Sequence, residues 1–208
     1  MRIYTLTVGP LGTNCYLIMS EKRSIALVDP GADPERIIQK LEDLGSAPSM
    51  ILLTHAHYDH TGDVAALCEA YPDCAVYLGE KDAPAYGDPE ASLAAMLGGP
   101  KEPAALPLTA TVKEGDAIAL DELEFTVLET PGHTPGGVTY RCGDVLFCGD
   151  TLFQGSIGRT DFPGGDYETL RRSLLRLRGL PGEYTVCPGH GLPTMMSQER
   201  KTNPYLKG

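Results

Sequence analysis

The sequence predicts an α/β fold built in layers, and three observations carry that expectation. Short runs rich in Val, Ile and Leu alternate along the chain with stretches of helical periodicity. Asp29, His55, His133, Asp150 and His190 each follow such an apolar run, at once or within a few residues. Several strand ends therefore deliver polar groups to one edge of the sheets, where layered α/β folds form their ligand crevices. Lastly, all five histidines lie beside Gly, Pro or one another. Three fall in His55-Ala56-His57-Tyr58-Asp59-His60, and two close the Pro-Gly-His turns at His133 and His190.

Taken in order, residues 1–10 read as a first strand and residues 25–28 as a buried one, ended by Asp29-Pro30-Gly31. A helix should follow, with Asp33 as N-cap and Pro34 at the first helical position. Ile37, Ile38, Leu41 and Leu44 share one face, and Gly45 stops the helix. Residues 50–53 form a second buried strand running straight into His55. Val64, Ala65, Leu67, Cys68 and Tyr71 are spaced for a helix, and residues 75–78 for a strand. Residues 80–110 change character. Pro84, Pro89, Pro100, Pro103 and Pro107, with Gly87, Gly98 and Gly99, leave one short helix around residues 92–97 in an irregular flap. Residues 123–128, 137–140, 145–148 and 184–187 are the later strands. Between the last two, Asp166 caps a helix carrying Leu170, Leu174 and Leu177.

The whole chain narrows the function. Its 208 residues carry 28 acidic against 17 basic side chains, a formal charge of -11. No Lys/Arg block is present to track a phosphate backbone, which excludes nucleic acid as an expected partner. Nowhere do about 18 apolar residues run together, so no membrane span is expected. The N-terminus reads as a strand and not as a signal peptide. The six cysteines form no C-x-x-C pair and mostly sit in apolar runs, as buried free thiols do. A cytoplasmic protein is the expectation.

The histidine cluster has metal-ligand chemistry. In an extended segment residues two apart point the same way, so His55 and His57 can face one ion together. Asp59 and His60, further round the turn, then face a second. Four groups within six residues cannot all bind one tetrahedral ion without severe backbone strain. His133, Asp150 and His190 complete both spheres, with Asp150 able to bridge through its two oxygens. Imidazole with carboxylate suits zinc, iron or manganese better than calcium or magnesium. Asp29, in Asp-Pro-Gly, is equally well read as ordinary turn chemistry.

The run Thr54-His55-Ala56-His57-Tyr58-Asp59-His60-Thr61-Gly62 resembles the signature of the metallo-β-lactamase fold superfamily. The remaining pieces keep that family's order: Asp29 upstream, then Thr130-Pro131-Gly132-His133-Thr134, Gly149-Asp150-Thr151-Leu152-Phe153 and Pro188-Gly189-His190-Gly191. The resemblance spans nearly the whole chain. It implies a single domain over residues 1–208, a four-layer αββα sandwich and a groove holding two divalent ions, zinc first, with iron or manganese as alternatives. It would put His55, His57, His133 and Asp150 on the first ion and Asp59, His60, Asp150 and His190 on the second. Asp29 would hydrogen-bond a ligand and fix its orientation. Asp29 and Asp59 are the expected catalytic carboxylates.

Within that superfamily the chain most resembles glyoxalase II-like thioester hydrolases, especially a short bacterial form. The supporting segments are Gly158-Arg159-Thr160-Asp161 and the ending Glu199-Arg200-Lys201-Thr202-Asn203-Pro204-Tyr205-Leu206. Full-length glyoxalase II carries a C-terminal helical domain with basic residues for the glutathione carboxylates. Here 18 residues follow His190, so that domain is expected to be missing. The expected substrate is a small-molecule thioester such as S-lactoylglutathione. A thiolate of parent pKa about 8.5 departs without a proton, an amide nitrogen does not, and no histidine is left over as a general acid. Arg159 is the expected contact for a substrate carboxylate, with a salt bridge to Asp161 as its competing role. Tyr86 and Tyr167 are further candidates for substrate contact. The alternative function is a mononuclear iron sulfur dioxygenase using His55, His133 and Asp150. A nuclease of the same superfamily is disfavoured by the acidic charge.

Overall fold

The computed structural model describes residues 1–102 and 104–207; Pro103, counted in the flap, and Gly208 lie outside the described residues. In the first half the strands are β1 (Arg2–Val8), β2 (Thr13–Met19), β3 (Ile25–Val28), β4 (Pro48–Leu53), β5 (Ala75–Gly79) and β6 (Ala110–Val112). They form one sheet in that same order, with helices α1 (Pro34–Asp43), α2 (Tyr58–Thr61) and α3 (Val64–Ala70) in its connections. β1, β2 and β3 are antiparallel neighbours, whereas β3 to β6 run parallel. The second half supplies β7 (Ala117–Leu120), β8 (Leu123–Glu129), β9 (Val138–Cys142), β10 (Val145–Gly149), a small hairpin of β11 (Leu152–Phe153) and β12 (Ser156–Ile157), and α4 (Tyr167–Arg178). It ends with β13 (Thr185–Pro188), β14 (Thr194–Met195) and α5 (Met196–Thr202), and its main sheet runs β14-β13-β10-β9-β8-β7.

Strand alternation explains the layers. Along β4, Met50 and Leu52 face the second sheet, and Ile51 and Leu53 face the helices. Tyr16, Ile18, Val28 and Leu52 from the first sheet meet Phe125, Val127, Tyr140 and Phe147 from the second in one buried core. On the outer face of the first sheet, Leu17, Leu27 and Ile51 pack with Ile37 and Leu41 of α1 and Val64 and Leu67 of α3. On the outer face of the second, Leu146, Cys148 and Val186 pack under Leu170, Leu174 and Leu177 of α4. Each fully buried Leu, Ile or Phe contributes about 1.5–3 kcal/mol. The result is the αββα sandwich.

Two local expectations need correction. Asp33 occupies the N-cap position of α1, but its backbone is left-handed (φ 58°) and its side chain makes no cap bond. Its carboxylate instead accepts from the Gly9 amide at 3.1 Å and from Arg36 at 2.9 Å, tying the β1–β2 turn to the helix. Residues 92–97 form consecutive turns, not a helix. Leu93 is left-handed (φ 65°), and a left-handed leucine interrupts helical hydrogen bonding. Asp166 does cap α4, accepting from the Thr169 amide at 2.8 Å. Among the described residues no helix is long and apolar enough to cross a membrane, and all six cysteines are free.

Candidate metal centre

Five strand ends meet at one edge of the sandwich. Asp29 follows β3, the His55 loop follows β4, His133 follows β8, Asp150 follows β10 and His190 follows β13. The chain bends at Thr54 and His55, and His57, in extended conformation (ψ 143°), stands at the start of α2. That turn carries Asp59 towards His190, while His60 stays against His55 with ring centroids 4.1 Å apart.

The ligand-type atoms of these side chains fall into three groups, each within 4.8 Å: His55, His57 and His133; His55, His60 and Asp150; and Asp59, His60 and His190. The Asp150 carboxylate lies between them. Its Oδ2 is 3.6 Å from both His133 Nε2 and His190 Nε2, and its Oδ1 is 3.5 Å from His60 Nε2. His190 Nε2 is 3.2 Å from Asp59 Oδ2. His55 Nε2, His57 Nε2 and Asp150 Oδ1 are buried without a hydrogen-bond partner, in a protein interior where such atoms are normally satisfied. A divalent cation satisfies His55 Nε2 and Asp150 Oδ1, so the residues fit a metal centre, and the group of His55, His60 and Asp150 connects the other two.

The electrostatics agree. Burial, then His60 and His57, hold His55 well below the usual histidine range. Burial and His133 push His57 down to about 3. Burial also lowers His60, but Asp59, Asp150 and Asp29 outweigh it and raise His60 to about 10. Burial likewise lowers His190, but the hydrogen bond to Asp59 and the charge of Asp150 raise it on balance, so the carboxylates of the cluster favour positive charge beside them. Positive charge is what the site lacks, and metal affinity should fall as protons compete for the donors.

Outer contacts fix which ring nitrogen faces inward. His60 Nδ1 donates to Asp29 Oδ2 at 2.9 Å, and His133 Nδ1 donates to the Arg159 carbonyl at 2.7 Å. Thr54 donates its hydroxyl to Asp29 Oδ2 at 2.7 Å and lies 3.0 Å from His55 Nδ1. Since the hydroxyl proton is committed to Asp29, Thr54 accepts from His55. Three imidazoles thereby turn Nε2 towards the centre.

Several supporting residues were not singled out from the sequence. Thr13 donates to Asp59 Oδ2 at 3.1 Å. Asn14 and Tyr16 bond the Pro188 carbonyl at 3.1 and 2.7 Å, holding the turn that carries His190. In that turn Gly189 has no room for a side chain. A Cβ there would fall 2.2 Å from Asp150 Oδ1 and 2.6 Å from His60 Cε1. Asp82, in a 3-10 turn after β5, accepts from the Ala56 amide (3.0 Å), the Thr134 hydroxyl (2.8 Å) and the Gly136 amide (2.6 Å). Burial outweighs these donors and holds Asp82 above the ordinary carboxylate range. One signal pointed to Asp82: it is an acid just past a buried strand, as Asp29 and Asp150 are.

A cavity of about 510 Å³ opens over the cluster, with His57, Asp59, His133, Asp150 and His190 at its floor. The flap contributes Leu93, Met96 and Leu97 to its wall. Arg159 also lines it. The guanidinium grips Asp161 through two bonds of 2.7 and 2.6 Å and lies 3.9 Å over the Phe162 ring. Tyr86 is buried with its hydroxyl on the Pro107 carbonyl, and Tyr167 is exposed at the start of α4; neither lines the cavity.

A family model described as the metallo-beta-lactamase superfamily matches residues 8–190. The chain is 39% identical to Hydroxyacylglutathione hydrolase GloC of Haemophilus influenzae, over 99% of this chain and 98% of the relative. Among solved structures, BLEG-1 B3 metallo-beta-lactamase superposes with a TM-score of 0.93 at 37% identity, covering 100% of both chains. TTHA1623, solved in a di-iron-bound form, superposes at 0.86 with 42% identity, covering 98% of this chain and 100% of its own.

Proposed function

This chain belongs to the metallo-beta-lactamase superfamily, and from that premise we propose that it hydrolyses thioesters, with S-lactoylglutathione as the reference substrate. It is a metal-dependent hydrolase; the thioester is our reading. The observation that carries it is the set of seven convergent donors beneath the cavity, with His55 Nε2 and Asp150 Oδ1 buried among them without a hydrogen-bond partner. His55, His57, His133 and Asp150 would hold one divalent ion, and Asp59, His60, His190 and the shared Asp150 the other. Bound there, two such ions supply Lewis acidity and a water acidified towards neutral pH. Zinc suits the donors, and the di-iron relative makes iron the alternative.

The residues' own work follows from their contacts. Asp29 is a positioning residue: it fixes the His60 tautomer directly and that of His55 through Thr54. Asp59, steadied by Thr13, lines the cavity and is the carboxylate we assign to take a proton from the attacking water. In the reaction a C–O bond forms from water to the carbonyl carbon. The C–S bond breaks with its electron pair on sulfur, giving a carboxylic acid and a thiol. A thiolate leaves without a proton, which suits a site whose histidines all belong to the cluster. We read residues 1–208 as one unit acting on a small molecule in the cytoplasm, the six free thiols being in keeping with a reducing compartment.

The iron dioxygenase would employ His55, His133 and Asp150 and leave Asp59, His60 and His190 without a task, although these three also converge. Elemental analysis of protein purified without added metal, with parallel assays, tests the proposal. We expect two metal ions per chain and turnover of S-lactoylglutathione. One iron per chain with oxygen uptake on glutathione persulfide would overturn it, as would a marked preference for a β-lactam.

A further inference from the structure

We propose that the cavity selects thioesters with uncharged, apolar thiol portions over those of the glutathione type, which carry two carboxylates and one ammonium. This rests on the thioester reading above. Six side chains set the character of the wall: Leu11 from the β1–β2 turn, Met96 and Leu97 from the flap, Phe153 and Ile157 from the β11–β12 hairpin, and Phe162. Leu11 and Met96 are 51% and 59% exposed, so two large apolar groups stand in water at the rim of a groove. Large apolar groups gathered around one cavity mark a surface that an apolar ligand covers.

The charges point the same way. Apart from the histidines, Arg159 is the one basic group among the described lining residues, and Asp161 neutralises it through two hydrogen bonds while Phe162 covers its face. A thiol bearing two carboxylates therefore meets a single cation that already has a partner, on a chain with net charge -11. An alkyl thiol can lie against Leu11, Met96, Phe153 and Phe162 without needing a charged partner. Each methylene covered by such a wall is worth up to about fourfold in binding.

The test uses the metal-loaded protein with lactoyl thioesters of glutathione, N-acetylcysteamine and hexanethiol, holding the acyl group constant. We expect kcat/KM to rise at least about tenfold from glutathione to hexanethiol, mostly through KM. In parallel, calorimetry compares two uncleavable thioethers, S-hexyl-N-acetylcysteamine and S-hexylglutathione, and the neutral one should bind at least about tenfold tighter. Met96→Lys, at an exposed position, should keep the metal content and shift both rankings towards glutathione. Equal or better turnover and binding of the glutathione compounds would overturn the proposal. If no thioester turns over but the neutral thioether still binds tighter, the thioester reading fails and the apolar selection stands.

Discussion

Replacing Asp82 with Ala probes how the fold holds its metal donors, because this residue touches none of the donor atoms. Its carboxylate is 1% exposed and receives three donors, from Ala56, Thr134 and Gly136. Ala56 separates His55 from His57, and Thr134 follows His133, so one side chain braces both histidine loops. Each buried donor left unpaired costs about 1–3 kcal/mol, which sets a ceiling near 3–9 kcal/mol. Water entering the vacated space and the relieved burial of the carboxylate lower that, and a net loss of about 3 kcal/mol is expected. For a chain of this size, 1 kcal/mol corresponds to roughly 2–4 °C, so Tm should fall by about 6–12 °C. Metal affinity should drop about 10- to 100-fold, as it does when groups orienting a ligand are removed. Calorimetric melting with and without metal, plus a competitive metal titration, measures both. A Tm within about 2 °C of wild type together with unchanged affinity would refute the bracing argument.

Asp150→Ala should weaken both metal sites, because its two oxygens lie between the groups, whereas His190→Ala should weaken only one; stoichiometry by elemental analysis separates them. Gly189→Ala should cut metal affinity at least about tenfold while circular dichroism stays native, since the new Cβ would sit 2.2 Å from Asp150 Oδ1; normal metal loading would show that the turn can yield. Burial, reinforced by Glu35 and Asp33, pushes Asp63 up to about 6. Its folded pKa lies above the ordinary value, so ionising it costs the fold stability as pH rises from about 4 through 6. The Tm of Asp63→Asn relative to wild type should therefore climb across that window, and a flat difference would count against it.

Legibility varied with how locally a signal is encoded. Helices α1 and α4 were readable because Ile37 and Leu41, or Leu170, Leu174 and Leu177, repeat at helical spacing over a single buried face. Strands β4, β8, β10 and β13 were readable as apolar runs. β2 is not legible, although all seven of its residues are buried, because it opens with the polar Thr13 and Asn14 and so lacks the continuous apolar run of β10. β6, β7 and β14 are two to four residues long and owe their existence to a neighbour's hydrogen bonds. The same divide runs through the site. Imidazoles and acids just past strands announced the metal donors, whereas Thr13, Asn14 and Tyr16 lie on the unread β2. The apolar wall comes from four separate segments, none unusual by itself.

The two main sheets are consecutive in the chain, β1–β6 within residues 2–112 and β7–β10 with β13 and β14 within residues 117–195. Four donors (His55, His57, Asp59 and His60) therefore leave the ribosome with the first half, and His133, Asp150 and His190 follow with the second. An ion held by both sets is a rivet across the seam between halves made at different times. Metal supply then bears on maturation as well as turnover: a cell short of the ion would accumulate chains whose halves are joined by their apolar faces and by a few hydrogen bonds such as those of Tyr16 and Asp82, and those chains would be the first taken by proteases.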